Sequence, residues 1–109
     1  MPEVMADRRD APRYPLVLVA EIQITSVAKL MARTSEVSRI GCFLDTANPA
    51  SKGRMIPLRL LRGQEAFATG ALVVYVSPAL GMGVRFHEHV TQKQLVTLDR
   101  WLGEAVRNP

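Results

Sequence analysis

Three arginines near the start of the chain, Arg8, Arg9 and Arg13, are the residues best suited by type and spacing to do chemistry. Each guanidinium is a planar fork that matches a phosphate, or the O6/N7 edge of guanine, through two parallel hydrogen bonds. In an extended segment the three forks can converge on one anion from different directions. Spacing alone is a weak signal, because eleven arginines in 109 residues give about one Arg pair four apart by chance. The second cluster is more informative. Glu36-Val37-Ser38-Arg39-Ile40-Gly41 begins 23 residues after Arg13. Its carboxylate can accept the N1 and N2 hydrogens of guanine, and its hydroxyl can reach a base edge or a phosphate. Its glycine permits a positive φ or a close approach of the backbone to a flat ligand.

Other reactive side chains carry less. His87 and His89 fall on one face of a strand end. No cysteine lies near them and Glu88 is the only flanking carboxylate, so they read as a solvated strand end and not as a metal site. Trp101 sits among leucines and reads as core, not as a stacking platform. Cys42 is the single cysteine, which excludes a disulfide within the monomer and a zinc site of several cysteines; it reads as a small buried hydrophobe. The sequence has no Gly-x-Ser-x-Gly elbow, no dinucleotide-binding loop, no Walker sequence and no carboxylate pair at catalytic spacing. An enzyme is therefore not expected.

Composition narrows the partner. The net charge is +4, and eleven of the fourteen basic residues are Arg. That bias favours an anionic partner gripped by forks. A generic nucleic-acid-binding barrel is disfavoured, because most of the few aromatics fall on apparent core positions and leave a poor stacking surface. No apolar run approaches the ~18 residues of a membrane span. Met1 to Ala11 is charged and lacks the apolar stretch of a signal peptide, so a cytoplasmic location without membrane insertion is expected.

The elements that must position these residues follow from periodicity. The length suits one domain. Residues 1–15 read as a flexible, extended tail, since Pro12 and Pro15 resist helix. Residues 16–109 form the folded unit. Alternation and turn residues predict strands over Leu16–Ile24, Leu30–Val37, Cys42–Asp45, Met55–Leu61, Ala66–Val76 and Met82–Phe86. Pro57 suggests an edge or a bulge in the fourth strand. Arg62-Gly63-Gln64-Glu65 reads as a hairpin turn. Leu95, Leu98, Leu102 and Val106 then recur at helical spacing, and Thr91 with Gln94 forms a capping-box pattern. The expectation is an all-β domain with a C-terminal helix, a small antiparallel barrel of six strands closed or plugged by that helix.

At Arg9-Asp10-Ala11-Pro12-Arg13 and at Glu36-Val37-Ser38-Arg39-Ile40-Gly41 the sequence resembles the PilZ family. That family carries an RxxxR motif ahead of a six-stranded barrel and a [D/N]xSxxG motif after the second strand. Gly81-Met82-Gly83-Val84-Arg85-Phe86, followed by a helix, is similar to the family's glycine-containing last strand. The resemblance covers about residues 8 to 105 and implies binding of the bacterial second messenger cyclic di-GMP.

By this resemblance Arg9 and Arg13 contact phosphate and the guanine Hoogsteen edge, Glu36 and Ser38 contact a second guanine, and Gly41 shapes the turn. Arg8, just before RxxxR, implies an intercalated ligand pair in place of a single molecule. Glu36 departs from the family's Asp or Asn by one methylene. A displaced carboxylate loses charged hydrogen bonds worth about 1.5–3 kcal/mol each, roughly a ten- to hundredfold loss of affinity. Two readings follow. The first is a receptor in which ligand orders the tail over the barrel and alters the surface shown to an effector protein, with motility or exopolysaccharide machinery as the family's suggestion. The second is a degenerate PilZ module that binds a protein without nucleotide.

Overall fold

The computed structural model describes residues 11–107. Six antiparallel strands are followed by one helix: β1 (Val19–Gln23), β2 (Lys29–Val37), β3 (Gly41–Asp45), β4 (Met55–Arg62), β5 (Glu65–Ser77), β6 (Gly81–Phe86) and α1 (Gln92–Arg107). The strands close into a barrel in the order β1-β2-β3-β6-β5-β4. Closure leaves no strand with a wholly unpaired edge. The expected all-β barrel with a C-terminal helix is thus the observed architecture.

The inward-facing residues form one core. Ala20 and Ile22 of β1 meet Leu58 and Leu60 of β4, with Leu44, Phe67, Ala71, Val73, Met82 and Val84 around them, all buried. Phe67 and Phe86 stack tilted, with ring centroids 4.9 Å apart. Leu98, Trp101 and Leu102 bury the inner face of α1 in the same cluster, and α1 packs against β5. Val106 lies outside that face, at 55% exposure.

Three local departures from simple alternation have clear causes. The first strand begins at Val19 and not at Leu16, because the buried Thr34 hydroxyl takes over the pairing there. It accepts from Leu18 N–H at 2.8 Å and donates to the Leu16 carbonyl at 2.7 Å. Pro57 marks no bulge, since the β4–β5 register runs without a shift, but it does lie on a stretch of β4 that has no β1 partner, a local edge. The β1–β4 ladder ends at the Ile22–Leu58 pair, so Pro57 has no ladder bond to miss on that side. At the helix start, Gln94 N–H donates to Thr91 Oγ1 at 3.3 Å. The Gln94 side chain does not complete the capping box; its Oε1 accepts from Ala68 N–H at 2.8 Å and ties α1 to β5.

A polar lock holds the other end of that contact. Glu65 starts β5 after the Gly63-Gln64 turn, in which Gly63 has φ 59°. Its carboxylate accepts from Arg100 Nη1 at 2.8 Å and Trp101 Nε1 at 3.0 Å. The Arg100 and Trp101 hydrogen bonds hold the carboxyl down at about 2.

Candidate functional site

The outer faces of β2, β3, β6 and β5 carry the site, and two β-bulges aim its side chains. Ala32 and Thr34 of β2 face the core, so strict alternation sends Glu36 inward after them. The β2–β3 register instead shifts between Thr34 and Glu36. Ser35 is the extra residue, Val37 takes the inward position at 1% exposure, and Glu36 faces out. The same device recurs on β5, where Phe67, Ala71 and Val73 face in. The β5–β6 register shifts between Val73 and Tyr75, and Tyr75 turns out, 49% exposed. A bulge adds one residue and rephases every side chain after it.

Rephasing creates a row across four strands. Glu36 lies opposite Phe43, Phe43 opposite Gly83, and Gly83 opposite Tyr75. Gly83 is covered by the Tyr75 ring, which occupies the space above it; a Cβ there would stand 2.2 Å from that ring. Phe43 and Tyr75 flank the glycine with ring centroids 6.0 Å apart.

Arg13 reaches this row through the two-bond bridge of its neighbour Tyr14. Tyr14 N–H donates to the Val37 carbonyl and Val37 N–H to the Tyr14 carbonyl, both at 2.9 Å. The segment ahead of β1, which the sequence offers no evident anchor, is therefore pinned at Tyr14 to the end of β2. That pairing sets Arg13 Nη1 3.9 Å from Glu36 Oε1.

The Ser38–Gly41 turn forms the adjoining wall. Ser38 is buried, and its Oγ accepts from Ile40 and Gly41 N–H and donates to the Gly41 carbonyl, each at 3.2 Å. The hydroxyl is thus committed to the turn. Gly41 is required for close approach, not for a positive φ: a Cβ would meet the Val84 carbonyl at 2.1 Å. Arg39 leaves the turn on its other side and donates to Asp99 of α1 at 3.0 Å. Cys42 lies behind the wall, and burial pushes its thiol up to about 12, which leaves it protonated and unreactive.

Arg13, Glu36, Ser38, Gly41, Phe43, Tyr75, Gly83 and Arg85 thus border one pocket of about 140 Å³. Of the residues singled out from sequence, Arg13, Glu36, Ser38 and Gly41 are brought together here. Arg8 and Arg9 lie outside the described residues. His87 and His89 lie away from this pocket, where His87 Nδ1 accepts from His89 N–H at 3.0 Å. Sequence reasoning missed Tyr75 and Arg85. Arg85 points to the same outer face as Gly83 and makes no ion pair among the described residues. The available signal was Gly81-Met82-Gly83, a strand with glycine at alternate positions and therefore a flat outer face.

A family model described as the PilZ domain matches residues 7–104. Among solved structures, the PilZ domain of YcgR from Escherichia coli with c-di-GMP aligns with a TM-score of 0.73 at 20% identity, covering 92% of each chain. The PilZ domain of CeSA from a cellulose-synthesizing bacterium aligns at 0.68 and 16% identity, over 85% of this chain and 99% of that one. The Bacillus subtilis inhibitor of motility MotI/DgrA aligns at 0.72 and 18% identity, over 94% of this chain but 53% of that one. Likeness at these identities concerns the fold. No curated protein matches the sequence.

Proposed function

This chain belongs to the PilZ domain family, and we propose that it is a receptor for cyclic di-GMP that signals to a protein partner. The observation that carries the reading is the convergence of Arg13, from ahead of β1, with Glu36, Ser38 and Gly41, from the β2–β3 turn, on one pocket. A cation, a carboxylate and a turn closed against backbone are what a guanine and its phosphate require. Arg9 stands four residues before Arg13 and Arg8 directly before it, so both are within chain reach of the same pocket.

Size supports a clamp. A ligand-sized site usually encloses roughly 300–1,000 Å³, and the pocket at Arg13 offers about 140 Å³. A dinucleotide seated there needs a further wall, and in this reading the segment carrying Arg8 and Arg9, which directly precedes Arg13 in the sequence, supplies it. In this reading bound ligand draws that segment over the barrel and changes the surface offered to an effector, with Arg8 reaching a second, intercalated ligand. Ser38 enters mainly as the builder of the turn, since its three bonds at 3.2 Å must loosen before it can face a ligand.

Calorimetric titration with cyclic di-GMP tests the assignment. Arg9→Ala and Arg13→Ala should each abolish or severely weaken binding, and Arg8→Ala should lower the stoichiometry from two ligands toward one. Affinity that survives both Arg9→Ala and Arg13→Ala would show that these residues are not the clamp. A wild-type chain that binds no nucleotide would favour the reading of a protein-interaction module, for which the lengthened side chain of Glu36 is the observation in favour.

A further inference from the structure

The aromatic half of the pocket remains to be explained. Tyr75 is out of place for an ordinary barrel strand. Its position in the alternation belongs to the core, and only the bulge after Val73 turns it outward. Exposing half of a tyrosine sacrifices burial that an inward position would gain. The surface under it is prepared. Gly83 removes the side chain that would fill the space, so the ring lies directly against the backbone of β6. Phe43 stands beside it, and its own ring occupies the space over Gly81, where a Cβ would come within 2.7 Å of it. Glu36 and Arg13 lie at the opposite end of the same row. A tyrosine seated on glycine and buttressed by phenylalanine is a rigid flat surface, and two χ angles are all that must be fixed.

We propose that Tyr75 is a base-stacking residue of this pocket, and that it takes the face of a guanine whose edge and phosphate are held from the Arg13–Glu36 side. The inference rests on the cyclic di-GMP reading and adds to it the residue that binds the base by its face. Stacking is indifferent to which atoms line the base edge, so Tyr75 supplies affinity and the polar groups supply selectivity. The two bulges then have one purpose: each re-aims one side chain, Glu36 or Tyr75, onto a common outer row.

The test is titration of the full-length chain with cyclic di-GMP. Removing one base–aromatic stack lowers affinity by about 5- to 150-fold. Tyr75→Ala should show a loss in that range, while Tyr75→Phe, which keeps the ring, should bind within about twofold of the wild type. Tyr75→Trp should bind and show ligand-dependent quenching of fluorescence, since the one native tryptophan, Trp101, is fully buried. Wild-type affinity in Tyr75→Ala, beside a wild-type chain that binds, would overturn this inference alone. So would an equal loss in Tyr75→Phe, which would assign the contact to the hydroxyl. A wild-type chain that binds no cyclic di-GMP would overturn the receptor reading and this inference together.

Discussion

Arg13 and Glu36 face each other at 3.9 Å with side chains 67% and 53% exposed. An exposed pair of this kind contributes about 0–1 kcal/mol, so an incoming ligand can replace it at little cost. The pair does hold both groups at the pocket before anything binds. Glu36 carries one methylene more than the family's Asp or Asn, and its carboxylate starts from the outer end of a bulged strand. Shortening it should draw the acceptor oxygens back toward the pocket floor. Glu36→Asp is accordingly expected to tighten cyclic di-GMP binding, up to about tenfold if one charged hydrogen bond is recovered. Unchanged or weaker affinity by calorimetry would show that the extra methylene is no handicap.

At the scale of elements, the barrel depends on polar groups that replace ladder bonds. Thr34 is buried at 1% exposure, and its hydroxyl satisfies Leu18 N–H and the Leu16 carbonyl. Thr34→Val keeps the shape and strands both groups, which should cost about 1–3 kcal/mol in denaturant unfolding. The Glu65 lock adds a pH dependence. Its carboxyl is held at about 2 in the folded chain, below its ordinary value near 4.3. The unfolded chain therefore binds the proton first as pH falls. The stabilisation is complete above about pH 5 and is lost progressively as pH drops toward 2. Glu65→Gln should flatten the acid limb of the stability profile over that window, and an unchanged limb would remove Glu65 from the account.

Most of these elements were legible. Strong alternation in Met55–Leu61 and helical spacing at Leu95, Leu98 and Leu102 needed only local chain physics. The bulges at Ser35 and beyond Val73 were not legible, because one extra residue leaves composition and periodicity nearly unchanged while it inverts every following side chain. Tyr75 was hidden for that reason: by simple alternation it belongs to the core. Glu36, Ser38 and Gly41 were legible as a motif. The reason for Gly41 was not, since its neighbour in space, Val84, is more than forty residues away in sequence.

At the scale of the molecule, one rigid barrel presents a half-built pocket on its outer face. The Ser38–Gly41 wall is joined to α1 through Arg39 and Asp99, and α1 is joined to β5 through Glu65, Arg100 and Trp101. The walls near the pocket thus belong to one body; under the receptor proposal the chain ahead of Arg13 completes the site. Fixing any stretch of backbone costs about 1–2 kcal/mol per residue, and in that proposal contacts from Arg8 and Arg9 to ligand offset it. The central claim is that this chain closes on cyclic di-GMP, and titration calorimetry of the wild-type chain at low salt tests it most directly. Saturable heat that levels off at two ligands per chain is the predicted result. No heat at tens of micromolar protein would contradict it.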